Sequence, residues 1–340
     1  MKILYLVDPQ SCYLTSMIFE GLCGLLGEKN IFVYPMLKRW KYGTADDWYV
    51  LPDSKKGFTG PSTAELIRPE LPELSIDDIC KNIDMFDYII LASPREYVIK
   101  TFQEIKNRVG VITNKVAYMD GEDGPGVHED IIREFKPNFL FKREISYHAQ
   151  HKGQNIYPLP FAALTDNAPH LNDSKKRYNV FGLFGNTNHL RVRLVEEFHK
   201  LNITDSIVDI DSGANIGYDK LRHSKISYVD YMNKIELSKI GLSCIGHGKD
   251  CVRYWETPIY SNTMMMCVNP KIVIPFPFKD RETAVFIKDD LSNLQELLEY
   301  YLSHDKEREK IAQAGHEHLL KYHTCERRAL YMLSIMEGAI

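Results

Sequence analysis

The chain has 340 residues, of which 44% are hydrophobic and 26% are charged. This balance is typical of a soluble globular protein and excludes a disordered one, and the length favours two domains. The net charge of −4 excludes a globally basic field of the kind that attracts nucleic acid or acidic membranes. Seven cysteines without a CxxC pair predict reduced thiols, and no apolar run approaches the roughly 18 residues of a membrane span.

The first part of the chain alternates apolar runs with helical patterns. Strands are predicted at 3–7, 31–34, 88–92, 116–119, 139–141 and 156–159, and helices near 13–26, 76–84, 95–108 and 128–135. Residues 38–75, which are rich in aromatic, charged, Pro and Gly residues, form a long excursion off the sheet. The order of strand, helix and strand is how a parallel, doubly wound sheet begins.

A second series of elements begins after a polar segment at 165–176. Its strands are predicted at 180–184, 206–210, 241–245, 264–268 and 284–287, and its helices at 189–201, 228–239, 253–256, 291–302, 305–322 and 325–336. The expected fold class is α/β, with two Rossmann-like doubly wound domains that face a central cleft. The domain limits are placed at 1–170 and 171–325, and a helix at 326–340 is expected to cross back to the first domain.

The most informative stretch is a Gly-rich turn before a short predicted helix, from Gly246 to Glu256. Arg253 and Glu256 are three apart and therefore share one helical face. An anion is stabilised at a helix start, where Arg253 can bind phosphate and Glu256 can accept hydrogen bonds from sugar hydroxyls. Together with His247 and Lys249 of the turn, this predicts a nucleotide or nucleotide-sugar site. A surface Arg–Glu pair is the alternative.

A second candidate anion site follows the first strand of the second series. Gly185 lets the backbone approach a ligand, Asn186 lies in the same turn, and the next helix supplies N–H donors. Arg191 or Arg193 can face this site but not both, since residues two apart lie on different faces of a helix. The stretch has neither Walker A spacing nor GxGxxG, so neither a P-loop nor a dinucleotide site is indicated.

Three acids, Asp120, Glu122 and Asp123, follow directly from a predicted strand. An open α/β sheet places functional side chains at such strand ends. These carboxylates can serve as a general base, accept hydrogen bonds from substrate hydroxyls or bind a divalent metal. A plain turn is the alternative, because Asp and Gly favour turns.

Other candidate sites are weaker. The basic and aromatic run at 38–42 offers Trp40 for stacking on a base or a sugar, with a solvated loop as the alternative. Zinc is not predicted, because His247 and Cys251 have suitable spacing but no further ligand is near in the sequence. The sequence has no GxSxG elbow, which argues against serine hydrolysis.

Four stretches of the second series form an ordered set: Gly185–Thr187, Arg253-x-x-Glu256, Phe278–Phe286, and Glu307–Gly315 leading to His323-Thr324-x-x-x-Arg328. With this set, the chain resembles the donor domain of the spore-maturation CgeB-type glycosyltransferases, within the GT-B-like class that has two Rossmann domains. The first series is similar to the N-terminal half of related bacterial and phage glycosyltransferases at Asp120–Asp123, Phe141–Glu144 and Pro158–Phe161.

The resemblance implies a nucleoside diphosphate-sugar donor, and a uridine diphosphate-sugar is the expected one. By position, Glu256 matches the first Glu of the family's donor domain, which is a ligand of the sugar or ribose. Met264 stands where a second Glu often binds ribose, and Glu282 is the candidate to replace it.

We therefore expect a cytoplasmic glycosyltransferase that moves a sugar from the nucleotide to an acceptor hydroxyl. Residues 171–325 would bind the donor and residues 1–170 the acceptor. The expected donor-binding residues are Gly185, Asn186, Arg191, His247, Lys249, Arg253, Glu256 and Glu282. The expected acceptor-binding residues are Asp8, Trp40 and Glu122.

The expected catalytic residues are Arg253, Asp120 and Asp123. Arg253 would stabilise the leaving diphosphate, and Asp120 or Asp123 would act as the base if the reaction inverts, or would position the acceptor if it retains. No cofactor beyond the co-substrate is expected, and a divalent metal is the less favoured alternative. The acceptor stays open among a polysaccharide, a protein, a metabolite and a modified DNA base. A non-catalytic binding protein and a sugar-nucleotide epimerase are the competing functions.

Overall fold

A computed structural model of the protein describes residues 1–10, 13–42, 67–146, 156–166, 168–171, 175–211 and 226–339. The chain forms two compact units. The first contains the described residues up to Phe161 and those from Cys325 onward, and the second contains those from Ala162 to Thr324. The limits expected from the sequence lay at 170/171 and 325/326.

The first unit is built on a six-stranded sheet in which all neighbouring strands are parallel. Its strands are β1 (Ile3–Leu6), β2 (Ile31–Tyr34), β3 (Tyr88–Leu91), β4 (Lys115–Asp120), β5 (Phe139–Lys142) and β6 (Ile156–Pro158). Its first helices are α1 (Tyr13–Leu26), α2 (Lys38–Tyr42), α3 (Ile76–Lys81), α4 (Glu96–Val109) and α5 (Glu129–Phe135). The order β2-β1-β3-β4-β5-β6 puts the topological switch point between β1 and β3.

The second unit is built on a five-stranded parallel sheet. Its strands are β7 (Tyr178–Gly185), β8 (Ile207–Asp211), β9 (Ser238–Ser243), β10 (Met264–Val268) and β11 (Val285–Ile287). Its helices are α6 (His189–Lys200), α7 (Tyr228–Glu236), α8 (Val252–Glu256), α9 (Leu294–Ser303) and α10 (Asp305–Tyr322). The order β11-β10-β9-β7-β8 puts the switch point between β7 and β9. The predicted pair of doubly wound parallel sheets is confirmed.

The last helix, α11 (Cys325–Glu337), belongs to the first unit and packs on α1. The two helices approach closely because α1 carries a glycine at the contact. A Cβ atom on Gly21 would lie 2.1 Å from the carbonyl oxygen of Cys325. At the far end of α11, the Tyr88 hydroxyl of β3 donates to the Met336 carbonyl oxygen.

One local expectation differs from the structure, and another lies largely outside the described residues. The helix predicted at 228–239 ends at Glu236, and β9 begins at Ser238 because this residue already pairs with Tyr178 of β7. Sheet pairing here overrides the helical pattern of the sequence. The expected excursion at 38–75 begins with the short helix α2, and residues 43–66 lie outside the described part of the chain.

Candidate functional site

The switch point of the second sheet gathers the ends of two neighbouring strands. β7 ends at Gly185, and β9 ends at Ser243, from which a turn through Gly246 and Asp250 leads to α8. Parallel strands place their carboxyl ends at the same edge of a sheet, and ligands of such sheets bind where the strand order reverses. This edge of the second unit is therefore the strongest candidate site.

Helix α8 brings Arg253 to this edge. Its guanidinium carbon lies 5.7 Å from the ring centre of Phe184 in β7 and 5.4 Å from that of Tyr231 in α7. Both are cation–π distances. The Trp255 indole N–H donates to the Asp250 carboxylate at 2.8 Å, which ties the helix to the preceding turn. Helix α8 has only five residues, and the helix-start anion site expected from the sequence stays a prediction.

Glu256 is the most perturbed carboxylate of this edge. It is 4% exposed, and its burial raises its pKa to about 7, although Arg253 and a hydrogen bond with Tyr231 oppose the shift. Within the described residues, its Oε1 has no hydrogen-bond partner. A buried acceptor left unpaired costs about 1–3 kcal/mol, so a ligand hydroxyl that donates to Oε1 would relieve this cost.

Arg191 also reaches this edge, but in a different role from the expected one. The side chain is buried, and all five of its N–H groups have acceptors in the protein. These acceptors are the carbonyl oxygens of Gly185, Cys244 and Ile245, the Thr187 hydroxyl and the Cys251 sulfur. As placed, Arg191 holds loops together and has no N–H left for a phosphate.

The remaining expected donor residues divide into two groups. Asn186 is buried directly after β7, whereas His247 and Lys249 are exposed on the turn before α8. Glu282 is not brought to this edge. It is exposed in the turn that enters the amino end of β11, and its carboxylate lies 3.4 Å from the Lys279 ammonium.

Met264 confirms the expectation of a buried strand at 264–268. The side chain is fully buried in β10 and belongs to the hydrophobic core of the second unit, together with Leu242 and Val285. A second glutamate at this position would therefore lie in an apolar core, which explains why Glu256 is the only carboxylate that α8 and β10 offer.

In the first unit, Asp120 ends β4 but is not presented to solvent. It is 0% exposed, and the Lys142 ammonium of β5, itself 1% exposed, donates to its Oδ1 at 2.9 Å. The same ammonium donates to the Glu122 carbonyl oxygen at 3.0 Å. As placed, Asp120 compensates a buried charge, which differs from the role of base expected from the sequence.

Glu122 and Asp123 lie in the loop that follows, with side chains 51% and 53% exposed. Each has a basic partner. The Glu122 carboxylate lies 3.0 Å from a ring nitrogen of His128, and Asp123 pairs with Arg143. The three carboxylates of the predicted acidic loop therefore bind three different basic side chains and do not form one cluster. In the described part of the chain, no group of three or more His, Cys, Asp or Glu side chains is arranged to hold a metal ion.

Of the two other residues assigned to the acceptor, Asp8 lies at the switch point of the first sheet. Its Oδ1 accepts from the Gln10 backbone N–H at 2.8 Å and lies 3.3 Å from Arg95. Trp40 does not offer a stacking surface. It is buried, and its ring stacks on that of Phe19 at 3.9 Å, so Trp40 belongs to the core, whereas Tyr42 of the same run is exposed.

Sequence reasoning assigned no role to two side chains that shape these sites. Tyr231 hydrogen-bonds Glu256 from α7, and Lys142 neutralises Asp120 from the neighbouring strand. Asn188 could have been found, because an Asn before a helical pattern is an N-cap signal. Its Oδ1 accepts from the Leu190 N–H, and its amide donates to the Gly246 carbonyl oxygen.

The second unit also carries a match to a known family. Residues 191–334 match the glycosyl transferase-like family model. This segment begins at Arg191 and includes Arg253 and Glu256. No curated protein matches the chain. In the described residues, no helix is both long and apolar enough to cross a membrane.

Solved structures resemble the whole chain in fold. HepE (Alr3699) from Anabaena, in complex with UDP and glucose, has a TM-score of 0.64 and 7% identity over 99% of this chain and 100% of its own. A glycosyltransferase from Rickettsia africae has a TM-score of 0.61 and 11% identity over 99% and 98%. Sucrose-phosphate synthase from Thermosynechococcus elongatus has a TM-score of 0.57 and 9% identity over 100% and 99%. At these identities the likeness establishes the two-domain, GT-B-like fold.

Proposed function

We propose that the protein is a glycosyltransferase that moves a sugar from a nucleoside diphosphate-sugar, expected to be a uridine diphosphate-sugar, to an acceptor hydroxyl. The second unit would bind the donor and the first unit the acceptor. The match of residues 191–334 to the glycosyl transferase-like family supports the reaction class. The complexes of HepE with UDP and with UDP-glucose support this choice of donor.

The observation that carries the donor site is the pair Arg253 and Glu256 at the switch point. Arg253 supplies a cation for the diphosphate, and Glu256 supplies a buried oxygen that lacks a partner among the described residues. A nucleoside diphosphate-sugar carries a dianionic diphosphate, which complements Arg253, and hydroxyl groups, which complement Glu256. Charge that develops on the leaving diphosphate would strengthen its interaction with Arg253 as the bond to the sugar breaks.

The finer resemblance to the CgeB-type glycosyltransferases is part of this proposal, and it rests on Arg253-x-x-Glu256 and the three other stretches that accompany it. The acceptor stays open among a polysaccharide, a protein, a metabolite and a modified DNA base. The last option has lost one support, because Trp40 is buried and cannot stack on a base. The assignment of Asp8 and Glu122 to the acceptor stays a proposal.

Calorimetric titration with UDP and UDP-sugars tests the donor site. At a pH above the pKa of about 7 of Glu256, where its carboxyl group is ionised, Glu256→Gln should weaken binding by about tenfold or more, because a hydrogen bond to a charged group contributes about 1.5–3 kcal/mol. Loss of affinity for UDP itself would place the ribose at Glu256, and loss for the UDP-sugar alone would place the sugar there. Glu282→Gln is the matched control and should bind as the wild type does. A wild-type protein that binds no nucleoside diphosphate would contradict the proposal.

The reaction products distinguish a glycosyltransferase from the two competing functions. Release of free nucleoside diphosphate during turnover excludes a non-catalytic binding protein. A change of configuration within the sugar, without transfer to another molecule, would identify an epimerase.

A further inference from the structure

Arg191 lies at the centre of three segments that form the donor edge of the second unit. Its Nη1 donates to the Gly185 carbonyl oxygen at 3.1 Å and to the Thr187 hydroxyl at 2.8 Å, both in the turn after β7. Its Nε and Nη2 donate to the carbonyl oxygens of Ile245 and Cys244 at 2.8 and 3.1 Å, directly after β9. One rigid guanidinium thus fixes the ends of both strands that flank the switch point.

The same guanidinium reaches the residue before α8. Nη2 lies 3.0 Å from the sulfur of Cys251, which is the N-cap residue of the helix that carries Arg253 and Glu256. Because α8 has only five residues, its orientation depends on such anchors more than on its own hydrogen bonds. Asn188 adds a second tie, since its amide donates to the Gly246 carbonyl oxygen at 2.9 Å.

The partners of Arg191 are all electrically neutral groups or a thiol, and within the described residues the side chain makes no ion pair. Burial accordingly lowers its pKa, and the nearby charge of Arg253 lowers it further. Both guanidinium groups lie near the ring of Phe184, at 5.8 and 5.7 Å from its centre. A buried cation without a counterion is costly, and the five hydrogen bonds of the guanidinium offset this cost only while all three segments keep their positions.

We propose that Arg191 is a positioning residue for the donor: it does not touch the nucleotide, but it fixes the two loops and the start of α8 so that Arg253 and Glu256 take their binding positions. This inference rests on the proposed function. The planar guanidinium holds the loops through its five hydrogen bonds, and a positive charge alone could not do so.

Gly246 offers an independent way to disturb the same contact. A Cβ atom at this position would lie 2.9 Å from Nη2 of Arg191, which is closer than real Cβ contacts allow. Because Nη2 is held by both Cys244 and Cys251, the guanidinium cannot move aside without losing a bond. Gly246→Ala should therefore displace the arginine without altering its chemistry.

The experiment compares Arg191→Lys, Gly246→Ala and the control Arg193→Lys. Lysine keeps the positive charge but cannot form five hydrogen bonds in a planar fork. Arg193 is exposed on the same helix and donates to the Asp290 carbonyl oxygen. The UDP dissociation constant is measured by calorimetry well below the melting temperature, and hydrogen–deuterium exchange is measured on peptides that cover 244–251 without UDP.

We expect Arg191→Lys and Gly246→Ala to weaken UDP binding by on the order of tenfold to a hundredfold, which corresponds to the loss of about one hydrogen bond to a charged group. Exchange at 244–251 should rise in both variants and stay unchanged in Arg193→Lys. A purely structural residue would lower the melting temperature and leave the affinity of the folded protein unchanged.

Two results would overturn the inference. Wild-type affinity in Arg191→Lys would show that the positive charge suffices. Loss of UDP binding with unchanged exchange at 244–251 would show that Arg191 contacts the nucleotide directly. If the wild-type protein binds no nucleoside diphosphate, the proposed function fails, whereas the exchange measurement still decides whether Arg191 holds the loops.

Discussion

Replacing Asp120 by Asn should destabilise the first unit rather than act on chemistry alone. The carboxylate is 0% exposed and lies 2.9 Å from the ammonium of Lys142, which is 1% exposed. At an effective dielectric constant of about 20, the attraction between unit charges at this separation is about 6 kcal/mol. Asn keeps an oxygen that accepts from Lys142 but leaves the ammonium buried without a counterion.

Removing one partner of a buried ion pair costs about 3–5 kcal/mol in measured cases. For a unit of this size, each kcal/mol lowers the melting temperature by about 2–4 °C, so a loss on the order of 10 °C is expected. Differential scanning fluorimetry measures the shift, and hydrogen–deuterium exchange in β4 and β5 assigns it to the first unit. Asp123→Asn is the matched control, because Asp123 is 53% exposed and its buried partner Arg143 keeps a second carboxylate, that of Glu144, at 3.1 Å.

The double variant Asp120→Asn, Lys142→Met supplies a further check. With the buried ammonium removed as well, most of the lost stability should return, since replacing both partners of a buried pair is often close to neutral. The reasoning is refuted if Asp120→Asn melts like the wild type. Should that variant also lose transfer by a factor on the order of 10² to 10⁴, Asp120 would be the general base that the sequence suggested.

Two further predictions concern the rest of the molecule. The raised pKa of Glu256, about 7 in the folded state against 4.5 in the unfolded state, means that the folded protein binds the extra proton between these values. The stability of the second unit should therefore fall as pH rises from 4.5 to 7, and Glu256→Gln should flatten this profile in urea titrations at several pH values. Gly21→Ala should destabilise the first unit by about 1–3 kcal/mol, because its Cβ would meet the Cys325 carbonyl oxygen at 2.1 Å. Gly126→Ala is the matched control, because a Cβ atom there would meet nothing within 4 Å, and its free energy of unfolding should lie within about 0.5 kcal/mol of that of the wild type.

The architecture could be predicted because parallel sheets are buried on both faces. Runs such as Ile3–Leu6 and Met264–Val268 are apolar at every position, and Gly or Asp marks the ends of β7 and β4. Gly185 and Asp120 were predicted at the ends of strands, and they are the last residues of β7 and β4.

Side-chain roles were less accessible, because they depend on partners that are distant in the sequence. Asp120 is neutralised by Lys142, which is 22 residues away, and Arg191 bonds the Ile245 carbonyl oxygen, which is 54 residues away. Local spacing shows that a charged residue follows a strand, but it cannot show whether another strand supplies the counterion. The same holds for Trp40, whose stacking on Phe19 turns an apparent surface aromatic into a core residue.

The return of α11 to the first unit has a consequence for synthesis on the ribosome. The second unit is one uninterrupted segment in the region from Ala162 to Thr324, so its described elements have all been made before α11 emerges. The first unit folds completely only later, because the helix that covers Gly21 on α1 begins 304 residues further along the chain, at Cys325. The nascent chain therefore exposes the glycine face of α1 until translation passes Glu337, and during this interval that face is available to chaperones or to misfolding.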